Sequence, residues 1–96
     1  MSGITFEWDL AKAAANLSKH GISFDEAITV FANPLARIHV DPDRSEVEDR
    51  EIMVGHSNQR RLLLVAFTER QARIRLISAR RATSQERKDY EENQES

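Results

Sequence analysis

Ninety-six residues, 40% hydrophobic and 31% charged with only three Gly and two Pro, describe a single foldable domain, and exclude both a two-domain chain and a disordered one. The absence of cysteine excludes a disulfide framework, thiolate zinc or iron–sulfur sites and a cysteine nucleophile, and suits a reducing cytosol. The net charge of -2 conceals an uneven distribution: residues 1–59 carry five Lys/Arg against ten Asp/Glu, residues 60–88 nine against two, and residues 89–96 none against four.

Along the chain, Leu10, Ala13, Ala14 and Leu17 recur at helical spacing. With Asp9 as cap and Gly21 as left-handed terminator, they predict a helix from about Leu10 to His20 that buries this stripe. Ser23-Phe24-Asp25-Glu26 is a capping box, and Phe24, Ala27, Ile28 and Phe31 form a second stripe that ends before Pro34. The two helices read as a hairpin. Leu35–Val40 alternates as a strand does, Asp41-Pro42-Asp43-Arg44-Ser45 is turn chemistry, and an acidic loop follows. Glu51–Ser57, Arg61–Thr68 and Arg73–Arg80 read as three more strands joined by short turns, which favours an antiparallel meander. Thr83-Ser84-Gln85-Glu86 opens a last helix to about Glu92, whose only large apolar residue is Tyr90. The expected fold class is therefore α+β: an N-terminal helical hairpin packed on a four-stranded antiparallel sheet, with a C-terminal helix, in one domain spanning residues 1–96. A further short strand at Ile4–Phe6 is weakly specified. No signal for export or for a membrane span is present.

The basic block from Arg60 to Lys88 can attract a polyanion; charged residues at strand edges and turns also discourage aggregation, the plainer explanation. On the last strand, strict alternation places Arg73, Arg75, Ile77 and Ala79 on one face and Ile74, Leu76, Ser78 and Arg80 on the other. Arg80 and Arg81 precede a capped helix, so phosphate is the expected ligand type; the alternative is that Arg73 and Arg75 pair with Glu51 or Glu69 on neighbouring strands. On the first helix, Lys12, Asn16, Lys19 and His20 form a polar stripe. Lys19 and His20 serve there either as ordinary C-terminal cations or as a proton carrier beside a phosphate-stabilising charge. His39 and His56 are isolated, and the acidic residues Asp41, Asp43, Glu46, Glu48 and Asp49 read as a solvated turn, so no metal and no cofactor is expected. Phe6 and Trp8 read as packing residues.

Two strings carry a resemblance over nearly the whole chain. The first is Phe6-x-Trp8-Asp9-x-x-Lys12-x-x-x-Asn16-x-x-Lys19-His20-Gly21-Ile22-x-Phe24-x-Glu26-Ala27. The second is Ile74-Arg75-x-Ile77-Ser78-Ala79-Arg80-x-Ala82-Thr83-x-x-Glu86-Arg87-x-x-Tyr90-Glu91. Together with Asp41-Pro42, Glu48-x-Arg50-x-Ile52-x-x-Gly55, Arg61-Leu62-Leu63 and Thr68-Glu69-Arg70, they resemble the BrnT toxins. That resemblance implies a fold similar to the RelE ribonucleases and the toxin half of a bacterial type II toxin–antitoxin pair, cytoplasmic and without cofactor. It implies metal-independent cleavage of RNA that inhibits translation, and a hetero-oligomer with a BrnA-type antitoxin, through which alone operator DNA is bound. It places Arg75 and Arg80 on the phosphate, matches Lys19 and His20 to the family's helix motif, and gives proton transfer to His20 or Tyr90. Arg60, Arg61, Arg70, Arg73 and Arg81 are the remaining candidates for RNA contact. Arg44 departs from the His found at that place in many relatives. The same superfamily contains gyrase poisons, so the alternative is a non-enzymatic poison or co-repressor in which these arginines only grip phosphate.

Overall fold

A computed structural model describes residues 4–40 and 50–93. In chain order the elements are β1 (Thr5–Glu7), α1 (Leu10–His20), α2 (Phe24–Ala27), a 3-10 turn (Ile28–Ala32), β2 (Arg37–Val40), β3 (Arg50–His56), β4 (Leu62–Arg70), β5 (Arg73–Arg81) and α3 (Ser84–Asn93). Asp41-Pro42, Arg44, Glu48 and most of the acidic loop lie outside the described residues.

The sheet is not the expected four-stranded antiparallel one. It has five strands in the order β1-β5-β4-β3-β2, and β1 runs parallel to β5, pairing Thr5 with Arg73, Phe6 with Ile74 and Glu7 with Arg75. Three residues are too few to show a period-2 pattern. What places β1 is tertiary: Phe6 packs edge-to-face on Phe31 at 5.0 Å, and Phe31 on Phe67 at 5.1 Å. The other pairings, β2–β3, β3–β4 and β4–β5, are the antiparallel meander.

Local chemistry sets the limits of α1. Asp9 Oδ1 accepts from the backbone N–H of Ala11 and Lys12 at 2.7 and 3.1 Å, and Gly21 closes the helix at φ 73°. The buried face, however, is not the predicted apolar stripe: Leu10 is 80% and Leu17 52% exposed, while Asn16 is 7% exposed. The reason lies in β5. Beyond Arg75 this strand has no strand partner on its outer side among the described residues, and Ala79 turns its N–H and C=O away from β4. Asn16 meets both: Ala79 N–H donates to Oδ1 at 3.0 Å, and Nδ2 donates to the Ala79 and Ile22 carbonyls at 2.8 and 2.9 Å. One amide stands in for a missing strand.

The second helix is shorter than its stripe suggests, because a run of β-branched residues follows its first turn. Thr29 Oγ1 donates back to the Glu26 carbonyl at 2.6 Å and accepts from Asn58 N–H at 2.9 Å, and the chain tightens into the 3-10 turn. Ser23 caps the Glu26 N–H at 3.0 Å as expected. The Glu26 carboxylate, 4% exposed, turns inward instead of completing the box. Ser57 Oγ donates to it at 2.6 Å, and the Arg61 fork donates through Nε at 2.9 Å and through Nη2. The hydrogen bonds from Arg61 hold this carboxyl below its usual range.

The main core lies between this layer and one face of the sheet. Ile22, Phe24, Ala27 and Val30 pack on Met53, Leu63, Val65, Phe67, Ile74, Leu76 and Ala79, and Trp8 meets Phe24 edge-on at 5.8 Å. Gly55 is required here, since a Cβ at that position would sit 2.8 Å from Ala36 Cβ. The opposite face carries a smaller cluster, Val54, Leu62 and Tyr90, beneath α3.

Two stability predictions follow from these contacts. Asn16→Ala removes three hydrogen bonds and orphans buried backbone groups, so urea unfolding should show a loss of about 2–4 kcal/mol. At the β4–β5 turn, Gln71 and Ala72 both have positive φ (52° and 68°). Ala72→Gly removes a left-handed penalty of about 1 kcal/mol and should raise the urea midpoint, with a net gain of about 0.5–1 kcal/mol.

Candidate active site on the open sheet face

Strict alternation would separate Arg75 from Arg80, five positions apart. The ladder shows otherwise: Phe67 pairs with Leu76 but Ala66 with Ser78, so Ile77 is an extra residue in β5. This bulge resets the phase. Ala79 moves to the core face beside Leu76 and Ile74, and Ser78 and Arg80 join Arg73 and Arg75 on the side away from the core. Corrected for the bulge, the sequence places one row of arginines on the open face. Arg70 extends this row, and it lines a shallow depression with Glu7, Thr68, Arg73 and Arg75.

Carboxylates occupy the row, though not those expected. Glu7 lies 3.3 Å from Arg73 and 3.6 Å from Arg75, which leaves Glu51 and Glu69 out of the pairing. Both arginines stay exposed, so these pairs are weak. Arg80 is held more firmly, donating to Glu86 through a two-pronged fork at 2.9 and 2.8 Å and to the Arg81 carbonyl at 3.2 Å. Glu86 also completes the predicted capping box, accepting from Thr83 N–H at 2.8 Å while its own N–H donates to Thr83 Oγ1 at 3.1 Å. The Arg80 fork, aided by Thr83, lowers the Glu86 carboxyl to about 2.

Beside Arg80, between α3 and the sheet, lies a cavity of about 470 Å3. Arg37 and His39 of β2 form one side, Ile52, Val54 and Leu64 the floor, and Glu86, Tyr90 and Glu92 of α3 the other side. Tyr90 anchors the helix. Its hydroxyl donates to the Leu35 carbonyl at 3.0 Å, its ring meets His56 edge-on at 5.7 Å, and burial raises its pKa. These contacts favour a protonated, fixed phenol. Arg37 ties the far end of α3 by donating to the Asn93 carbonyl.

The structure thus brings Arg70, Arg73, Arg75 and Arg80 together on one face and sets Tyr90 beside them under α3. It does not bring Lys19 or His20 to that face, since α1 lies along the outer edge of β5 in the core-side layer. Arg61 is turned inward to Glu26, Arg60 sits in the β3–β4 turn at φ 65°, and Arg81 pairs across from core-facing Leu63. Sequence reasoning missed Glu7, Arg37, His39 and the ion-pairing role of Glu86. Arg37-x-His39 on one face of a predicted strand was a readable signal; the pairing of Glu7 depends on β1 and was not. Among the described residues no group of three or more His, Cys, Asp or Glu could hold a metal ion, and no helix is long and apolar enough to cross a membrane.

Because the Glu86 carboxyl is depressed from its unfolded value near 4.5 to about 2, its contribution is present above pH ~4.5 and is lost as pH falls through ~2. Side-chain exposure of 32% for Glu86 and 41% for Arg80 reduces that contribution to on the order of 1–2 kcal/mol. Urea unfolding from pH 6 down to 2.5 should show the difference between the wild type and Glu86→Gln shrinking across this window.

A family model described as the ribonuclease toxin, BrnT, of type II toxin–antitoxin systems matches residues 8–86. No curated protein matches the chain. The crystal structure of the Brucella abortus ribonuclease toxin BrnT superposes with a TM-score of 0.68 at 23% identity, covering 84% of this chain and 99% of that one, a likeness of fold. With four-fifths of its length inside that family model, the chain belongs to the BrnT family of ribonuclease toxins of type II toxin–antitoxin systems.

Proposed function

We propose that the chain is a metal-independent endoribonuclease that arrests translation in the cytoplasm, held in check by a BrnA-type antitoxin covering the arginine row, with operator DNA bound only through that partner. The observation that carries this reading is the bulge at Ile77, which gathers Arg73, Arg75 and Arg80 on one open face.

In the proposed reaction the ribose 2′-oxygen attacks the adjacent phosphorus as its proton passes to a base. The P–O5′ bond breaks, and the departing 5′-oxygen takes a proton from an acid, leaving a 2′,3′-cyclic phosphate. Such a reaction needs fixed positive charge where the phosphorane charge develops, and Arg75 and Arg80 supply it once phosphate replaces their carboxylates. Of the two imidazoles on this face, His56 is packed edge-on against Tyr90, whereas His39 is exposed at the rim of the cavity that Glu86 also lines, and we assign His39 the proton exchange. Lys19 and His20 act at most in positioning, and Tyr90 holds α3 over the site.

The test is incubation of the purified chain with bulk RNA in excess EDTA, scoring 2′,3′-cyclic ends. Arg75→Ala should slow cleavage at least ~100-fold and His39→Ala by a similar factor, whereas His20→Ala should retain most of the activity. RNA left intact both alone and with translating ribosomes would overturn the proposal.

A further inference from the structure

The cavity under α3 has a chemistry that phosphate binding does not use. Its floor is apolar, formed by Ile52, Val54 and Leu64, and its volume of about 470 Å3 falls in the range of small-ligand pockets. A phosphodiester gains nothing from such a floor, whereas the flat face of an unstacked base does. The rim carries both signs. Of its carboxylates, Glu86 commits both oxygens to Arg80, and Asp89 accepts from Gln85 Nε2 at 3.0 Å. Glu92 makes no hydrogen bond or ion pair among the described residues. Arg37 reaches the neighbouring Asn93 carbonyl, and its Nε has no partner among the described residues.

A carboxylate offers two acceptors side by side and no donor; a guanidinium offers donors and no acceptor. Among the four RNA bases, guanine alone presents two adjacent donors, N1–H and the 2-amino group, next to an acceptor, O6, on its Watson–Crick edge. A cationic side chain of a protein partner would also meet Glu92, but it would face Arg37 with like charge.

We infer that this cavity is a base-reading subsite that seats the guanine next to the phosphate gripped by the arginine row, with Glu92 accepting from N1–H and the 2-amino group and Arg37 donating to O6. The assignment rests on the ribonuclease reading and adds the sequence preference to it. The subsite adjoins the row through Glu86, which lines the cavity and binds Arg80.

The experiment uses 2′-O-methyl tetraribonucleotides, which cannot be cut by 2′-oxygen attack, with uridine throughout except for one inner position carrying guanine, inosine, adenine, cytosine or uracil. Fluorescence anisotropy at fixed salt should show the guanine tetramer binding about tenfold tighter than the others, inosine included. Glu92→Gln, an exposed substitution, should bring guanine to within about twofold of the rest, while the change in affinity caused by losing one negative charge should be the same for the uracil, adenine and cytosine tetramers. Methyl signals of Ile52 and Leu64 should shift with the guanine tetramer. Equal affinity for all five tetramers, or a guanine preference that survives Glu92→Gln, would overturn the subsite. Methyl shifts caused by the antitoxin and by none of the tetramers would also overturn it, assigning the cavity to a protein partner. A guanine preference without RNA cleavage would overturn the ribonuclease reading and leave the subsite standing; cleavage without base preference would do the reverse.

Discussion

The double hydrogen bond between the Asn16 amide and the Ala79 backbone is the contact on which the rest of the molecule depends. It closes the outer edge of β5 where β1 has ended, and an unpaired edge there would be both costly and open to association. It also fixes Ala79 two residues past the bulge, so the phase of the strand after Ile77 is set from outside the ladder as well as within it. The third bond of the same amide, to Ile22, ties the start of the next helical segment to this point. Core, edge and arginine row therefore meet within a few residues of one side chain.

A second buried polar group performs the matching task at the other end of the helical layer. Glu26 receives Ser57 and Arg61 from the β3–β4 turn and locks α2 to the sheet. An ion pair of this kind is weak evidence for net stability, because desolvation offsets most of the attraction. Its value is in register: an uncompensated Glu26 or a misplaced turn would each bury a lone charge. It also commits Arg61, still partly exposed, to an internal carboxylate, so the basic block of the sequence is less uniform as a face than as a string.

What could be read from the sequence was local. Asp9, Gly21, Ser23 and the Thr83–Glu86 box act within a few residues of themselves, and all four occupy the helix ends they predict. The β4 and β5 runs are long and apolar enough to declare themselves as strands. What stayed hidden depends on distant partners. Asn16 and Ala79 are 63 positions apart, which is why an apolar stripe on α1 was expected to be buried and a polar residue is buried instead. The bulge leaves no compositional mark, since Ile77 is an ordinary strand residue; only the pairing with β4 reveals that Arg75 and Arg80 share a face. Likewise β1, legible only as a weakly specified strand at Ile4–Phe6, could not be paired with β5 from the sequence, and with that pairing went the carboxylate of Glu7. The chemistry of the site was thus visible as residue types and invisible as an arrangement.

Glu7 and Glu86 lend a further meaning to the arginine row. In most basic surfaces, mobile salt ions shield the guanidinium groups, and a nucleic acid binds by releasing those ions into bulk solvent. Here tethered carboxylates shield Arg73, Arg75 and Arg80, so on the proposed function a phosphate arriving at the row would displace a side chain that remains attached to the protein. Such binding would be an internal ion exchange, and the salt dependence of affinity would count fewer ions than there are phosphate contacts. The exchange at Arg80 would also draw the carboxylate that caps α3 away from its arginine. Anion occupancy on the sheet would thereby be transmitted to the first turn of the helix that roofs the cavity.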